Sequence, residues 1–351
     1  MRAMSRSDFL STRKFFLDLL QEHAAELEFR GTTRADFESW RAAFAKRFRE
    51  CLGPFPAEVP LTHEIQWEVR EEGLVKQKVL LSTAPYTTVP AIVLAPDHAR
   101  PKRAIVAIHG HGSHGKDPVA GARYPEAVQD TSYFQYDYGA RLAKAGFAVI
   151  VPDCRPFGER SDRMPGERSI ERRDPCNVHA IKGWLLGFNL LTYNLWDLMK
   201  CLDFILARKD VLKDGVGAIG LSGGGAHAMH LAALDARIQA TDVVCALNSY
   251  RGWGIGIDNF CGTQFLPGMF KYGDHAEICG LIAPRALMIE MGGFDYGFPI
   301  EHSIAALRRL EKIYAAAGCS EKLSHHLGYA GHQFYDPDVA GFFRRWLPFD
   351  A

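Results

Sequence analysis

The chain has no long apolar run: nowhere does an uncharged stretch approach the roughly 18 to 20 residues that a membrane span needs. It has no excess of either charge, because 41 Lys and Arg balance 41 Asp and Glu. No dense basic block appears either, which removes the argument for a nucleic-acid track or an anionic membrane surface as partner. The N-terminal residues lack a sustained apolar core followed by a small-residue cleavage pattern, so a cytoplasmic location is expected. The eight cysteines, at 51, 154, 176, 201, 245, 261, 279 and 319, include no C-x-x-C pair. Neither zinc spacing nor a disulfide framework is legible in them, and free thiols are expected. Internal repeats and low-complexity tracts are missing as well.

What is present is an ordinary globular composition, 47% hydrophobic and 23% charged over 351 residues. That length suits one large α/β domain carrying insertions, or two modest domains. Residues 8–52 place Phe9, Phe16, Leu19, Leu20, Phe37, Trp40, Phe44 and Phe48 at helical intervals among charges. The spacing predicts two amphipathic helices, a helical extension over residues 1–60 closed by Gly53-Pro54-Phe55-Pro56. A single domain over 61–351 follows. Short, partly alternating β-branched runs at 65–69, 75–81 and 89–94 read as antiparallel strands at a sheet edge. Continuous apolar runs at 104–108, 148–151, 216–219, 243–247 and 286–289 read as strands buried on both faces.

Helical stretches fall between these runs at 136–144, 189–207, 226–234 and 303–317. Alternation of this kind predicts a doubly wound, mostly parallel sheet. Two connections, 155–188 and 249–283, exceed ordinary loop length and follow strand ends on the edge where such sheets bind ligands, so they are read as lid insertions.

The most informative stretch is Gly220-Leu221-Ser222-Gly223-Gly224, lying between an apolar strand and a small-residue helix. That is the setting in which G-x-S-x-G forms a sharp turn presenting a serine hydroxyl. A serine is a poor nucleophile without an adjacent base, itself oriented by an acid, and the motif calls for them in the order Ser, Asp/Glu, His. After the strand at 286–289 comes Glu290-Met291-Gly292-Gly293-Phe294-Asp295, which makes Asp295 the candidate acid and Glu290 a rival pointing along the sheet face. His332, in Gly331-His332-Gln333-Phe334 after a last strand at 323–327, is the candidate base; His302, His325 and His326 are weaker ones.

Two backbone donors for an oxyanion are expected at Gly223 and at His111, with Gly112 the near alternative, in the run His109-Gly110-His111-Gly112-Ser113-His114. The same run offers an H-x-H-x-x-H metal alternative through His109, His111 and His114, although a structural role for His109 is the plainer reading. Asp153 precedes the serine and is read as a loop-fixing residue, paired with a nearby arginine. Arg155 and Glu159 are candidates for a buried pair at the rim.

With these pieces in place the sequence resembles the α/β-hydrolase superfamily, and within it the dienelactone-hydrolase-like and acetyl-xylan-esterase-like esterases, over about residues 75–349. The resemblance rests on His109 to Gly112, the 153–160 stretch, Gly220 to Gly224, Ala283-Pro284-Arg285, Phe298-Pro299-Ile300 and Gly331 to Phe334. Pro156 departs from it, standing where relatives often carry glycine. It implies an α/β-hydrolase fold, with Ser222, Asp295 and His332 as the triad and His111 and Gly223 as oxyanion donors. Serine at the elbow, where dienelactone hydrolases proper use cysteine, argues for ester cleavage.

The expected activity is therefore a serine carboxylesterase acting on small esters through an acyl-enzyme, with no cofactor, no metal, no nucleic-acid partner and no membrane partner. A homo-oligomer is compatible with the sequence. Phe157, Trp253 and Phe294 are the candidate substrate-binding aromatics. A metal-dependent hydrolase built on the three histidines, or a non-catalytic binding protein on the same fold, are the alternatives.

Overall fold

A computed structural model describes residues 10–98, 100–112, 114–161 and 175–348 of the chain. Part of the predicted 155–188 insertion, and Ser113 within the histidine run, therefore lie outside the described residues. In chain order the elements begin with helices α1 (Thr12–Glu22) and α2 (Arg34–Leu52), then strands β1 (Thr62–Glu71), β2 (Leu74–Ala84), β3 (Thr87–Pro96) and β4 (Lys102–Ile108). Helices α3 (Lys116–Val119), α4 (Pro125–Phe134) and α5 (Tyr138–Lys144) precede β5 (Ala148–Pro152). Helices α6 (Pro175–Leu185) and α7 (Leu190–Ala207) lead to β6 (Val211–Leu221), α8 (Gly223–Leu234) and β7 (Ile238–Val244). The chain continues through α9 (His275–Gly280), β8 (Ala286–Gly292), α10 (Ile300–Ala316), β9 (Leu323–Gly328) and α11 (Val339–Trp346).

The nine strands form one sheet in the order β1-β2-β3-β5-β4-β6-β7-β8-β9. The first three are antiparallel to their neighbours and the remaining six run parallel. Strand alternation divides the core into two layers. Val106 and Ile108 of β4 pack with Leu195, Leu231 and Ile278 of α7, α8 and α9 on one face. Ile105 and Ala107 pack with Leu142 and Phe343 of α5 and α11 on the other. Phe37, Phe44, Phe48 and Leu52 of α2 join the first layer, so the N-terminal extension shares that core rather than making its own. Asn189 and Thr192 at the start of α7 fix its end by donating to the backbone carbonyls of Cys51 and Leu52.

The sequence placed β7 about five residues too late, at 243–247. Thr241 and Asp242 interrupt the apolar pattern yet are fully buried in the strand, and Cys245, at φ +46°, ends it. Helices α3, α4, α6 and α9 were not anticipated. They are short or lie inside the insertions, where apolar periodicity has too few turns to show.

Candidate active site

Ser222 stands between the end of β6 and the first residue of α8, at φ +61° and ψ −121°. This left-handed geometry in a residue with a side chain costs on the order of 1–3 kcal/mol and persists only where surroundings over-determine it. They do so here through backbone bonds at 2.9 Å from Ser222 N–H to Val244 O and from Ala226 N–H to Ser222 O. The flanking glycines are steric requirements: a Cβ at Gly220 would lie 2.2 Å from Gly224 O, and one at Gly224 would lie 2.0 Å from Ile108 O. Neither position can accept a side chain without moving backbone.

Asp295 lies three residues beyond β8 and His332 four beyond β9, so both come from the same sheet edge as Ser222. His332 Nδ1 and Asp295 Oδ2 are 2.6 Å apart, with the carboxylate side chain 1% exposed. The other carboxylate oxygen accepts the N–H groups of Gly297 and Phe298 at 2.8 and 3.1 Å, which locks the acid in place. The imidazole is stacked on Phe298, centroids 5.6 Å apart and planes 6° from parallel, and Phe298 in turn is stacked on Trp253. Ser222 and His332 line one cavity of about 260 Å³ together with His111, Phe134, Tyr136, Asn259, Tyr296 and Phe298. No Ser222–His332 hydrogen bond is formed among the described residues; what links the two is this shared wall.

The expected oxyanion donors, His111 and Gly223, come from the loop after β4 and the first residue of α8. Gly223 is the first residue of α8, where N–H groups have no partner within the helix. The His111 ring rests against it, since a Cβ on Gly223 would lie 3.0 Å from His111 Nδ1. Tyr136, which the sequence reading did not single out, accepts the Gly110 N–H through its phenol oxygen. Burial holds that phenol well above its usual pKa, so it stays protonated beside Ser222.

The sequence profile of the Abhydrolase family matches residues 2–329 of the chain. The chain belongs to the Abhydrolase family. It is 26% identical over 318 residues to the Bacillus subtilis (strain 168) protein named "Putative hydrolase YtaP", covering 88% of this chain and all of that one. Among solved structures it resembles one titled "putative acetyl xylan esterase" from Bacteroides fragilis NCTC 9343, at TM-score 0.77 and 20% identity over 98% of this chain and 91% of that one. It also resembles a glucuronoyl esterase from Solibacter usitatus, at TM-score 0.65 and 14% identity over 88% and 92% of the two chains. At these identities the structural likeness establishes the α/β-hydrolase fold.

Within this Abhydrolase-family fold several expected contacts take other forms. His109, His111 and His114 do not converge. His109 is buried with Nδ1 2.7 Å from Gly110 O and Nε2 accepting the Cys154 N–H at 2.9 Å, and burial pushes its pKa down. His114 Nδ1 meets Asp130 Oδ2 at 2.7 Å, whereas His111 Nε2 meets Cys261 Sγ at 3.0 Å. Both nitrogens of His109 are thus spent on scaffold, which leaves that trio unable to share an ion.

Asp153 does fix its loop, but its partner is Lys116, whose Nζ and backbone N–H reach the carboxylate at 2.9 and 2.8 Å. Arg155 and Glu159 do not pair. Arg155 bonds Asp197 and Thr87, while Glu159 accepts from Lys116 and Lys78 at 2.5 and 2.6 Å, because nearer opposite charges are available to each.

None of the three expected substrate aromatics lines the cavity. Trp253 is one ring removed, behind Phe298; Phe157 packs edge-on against His109 and His111; Phe294 is 74% exposed. The aromatic wall comes instead from α4 and its end, Phe134 and Tyr136, and from Tyr296 and Phe298, next to the acid. Of these only Phe298 had a sequence signal, its place just after Asp295.

Glu290 sits within β8, as expected of the rival acid, and its Oε2 accepts the Tyr335 N–H at 2.9 Å in the loop carrying His332. Burial raises the Glu290 carboxyl to about 7 even though its hydrogen bond with Asp242 pulls the other way, while burial and the Glu290 charge hold Asp242 well above the usual carboxylate range. None of the eight cysteines is in a disulfide, and Cys176 and Cys261 meet beside His111, a cluster that no spacing in the chain foreshadows. Burial alone would push the Cys261 thiol up; hydrogen bonds with Cys176, His111 and Thr263 outweigh it and hold the thiol well below its usual value.

Proposed function

We propose that this chain is a serine carboxylic-ester hydrolase acting on small esters through an acyl-enzyme. The observation that carries the reading is the 2.6 Å His332–Asp295 hydrogen bond on the wall of the cavity that the Ser222 elbow enters. In this reading Ser222 Oγ attacks the ester carbonyl and His332 Nε2 takes the hydroxyl proton. Asp295 holds the Nδ1–H tautomer and stabilises the imidazolium that forms. His332 then returns the proton to the departing alcohol. A water deprotonated by the same nitrogen attacks the acyl-enzyme, releasing the acid and restoring Ser222.

The Gly223 amide, with that of His111, takes the developing oxyanion; each donor of this kind is worth about 3–4 kcal/mol in the transition state. Stacking on Phe298 limits rotation of the imidazole, which keeps Nε2 aimed into the cavity. The small volume and aromatic wall favour a short acyl group over a long chain. The fold neighbours named as acetyl xylan and glucuronoyl esterases support ester chemistry without fixing the alcohol.

The test is labelling by a fluorophosphonate probe combined with a series of p-nitrophenyl esters of increasing acyl length and acetylated sugars. One label per chain on Ser222 and turnover falling beyond short acyl groups are expected. An unlabelled, inactive chain would leave the fold as a non-catalytic scaffold.

A further inference from the structure

The cavity wall that carries His111 also borders chemistry that ester hydrolysis does not use. His111 Nε2, Cys176 Sγ and Cys261 Sγ all lie within 4.8 Å of one another. Both cysteines are almost fully buried, at 1% and 4% exposure, and His111 reaches them from the cavity. We propose that these three side chains form a binding site for a single borderline-soft divalent cation of the zinc class, separate from the nucleophile.

The donor set points to that class. Two thiol sulfurs and one imidazole nitrogen suit zinc, and the absence of carboxylates from the trio disfavours magnesium and calcium, which take oxygen ligands. The spacing is also right. A tetrahedral ion bonded at the usual zinc–sulfur and zinc–nitrogen lengths holds its ligand atoms roughly 3.5–3.8 Å apart. The 3.0 Å His111–Cys261 contact needs to open by only about half an ångström to admit it. Three protein ligands leave a fourth position for water or another small ligand.

The frame behind the thiols is fixed independently of any ion. Asn177, next to Cys176, accepts the Gly262 N–H at 2.8 Å and donates to Phe260 O at 3.2 Å, so the start of α6 is bracketed to the chain on both sides of Cys261. A Cβ at Gly262 would lie 2.1 Å from the Ala180 Cβ, which shows how closely the two segments approach. Thr263 Oγ1 lies 2.9 Å from Cys261 Sγ and supplies the outer hydrogen bond that metal thiolates commonly have. Phe157 closes the site edge-on against the His111 ring, 5.1 Å between centroids.

Occupancy would bear on the ester site through His111. Its ring bridges the two, with Nε2 toward the sulfurs and Nδ1 against Gly223, and the reading above gives its amide to the oxyanion. Opening the His111–Cys261 contact around an ion shifts that residue, so bound zinc slows ester turnover. This last consequence rests on the hydrolase reading, whereas the binding site does not.

The experiment is a titration of the full-length, reduced, chelator-stripped protein with Co²⁺, followed by displacement with Zn²⁺. Expected is one Co²⁺ per chain with a thiolate-to-cobalt charge-transfer band, abolished by Zn²⁺. Cys176→Ser and Cys261→Ser should each weaken the affinity by more than roughly tenfold, the lower end of what losing even an outer partner of a metal ligand costs. Circular dichroism melts confirm that both variants are folded. No charge-transfer band in the wild-type chain, or a band of equal affinity in both folded variants, overturns the site. Ester turnover measured in the same samples reads the coupling, and a loss of turnover regardless of metal speaks to the hydrolase reading alone.

Discussion

Two histidine-bearing segments flank Ser222, and their rings are held in opposite ways. His109, at the end of β4, has both ring nitrogens engaged by the protein and is driven toward the neutral form by burial. His332, beyond β9, has Nδ1 engaged by Asp295, a ring face against Phe298, and a place on the cavity wall. The distinction lies in satisfied valence. An imidazole with two scaffold bonds can only hold structure, while one oriented through a single nitrogen keeps the other for chemistry.

The sharpest way to break the contrast is to remove the side proposed to act. Ser222→Ala or His332→Ala should lower kcat by roughly 10⁴- to 10⁶-fold, measured on a short p-nitrophenyl ester, and the two together should cost little more than either. Asp295→Asn leaves the shape but supports the wrong tautomer, and a fall of about 10⁴-fold in kcat is expected. A loss below tenfold would show that the Asp295 contact does not orient the base.

His109→Leu tests the scaffold side. It strands the buried Cys154 N–H and should destabilise by about 1–3 kcal/mol in denaturant melts while kcat stays within tenfold of the parent. If instead kcat collapsed and stability held, the assignment of the two histidines would be reversed.

The smallest effect concerns the loop behind His332. Glu290 is raised by burial from the ordinary 4.5 to about 7 in the folded chain. Its contribution to stability is therefore fully present below about pH 4.5 and is lost as pH rises through about 7. Buried His227, His230 and His275, pushed down to about 3, 4 and 3, act in the other direction, losing stability as pH falls below 6.5. Glu290→Gln isolates the first effect: the melting temperature of the variant relative to the parent should rise between pH 4.5 and 7, because only the parent loses the Glu290 contribution there. Equal slopes would mean that the carboxyl titrates normally.

The legible part of this molecule was whatever repeats locally or has a fixed chain order. Strands β4, β5, β6 and β8 were marked by apolar runs, and the elbow by glycines that sterics demand at Gly220 and Gly224. The succession Ser222, Asp295, His332 followed from strand ends. β7 was displaced because Asp242, buried beside Glu290, looks like a surface residue in a linear pattern. The aromatic wall was misassigned because Phe134 and Tyr136 belong to a connection with no motif of its own, whereas Phe157 and Trp253 lie in conspicuous insertions.

The sequence by itself determined the layered parallel sheet and the strained serine turn, since periodicity and steric exclusion act over a few neighbouring residues, and the chain order of strand ends put Asp295 and His332 at the same sheet edge. Only tertiary structure decided which charges pair, which rings line the cavity, and that residues 111, 176 and 261 meet. Those contacts depend on how crossovers bring distant segments to one sheet edge, and burial and the nearest available partner, which set their protonation and pairing, do not exist until the segments are packed.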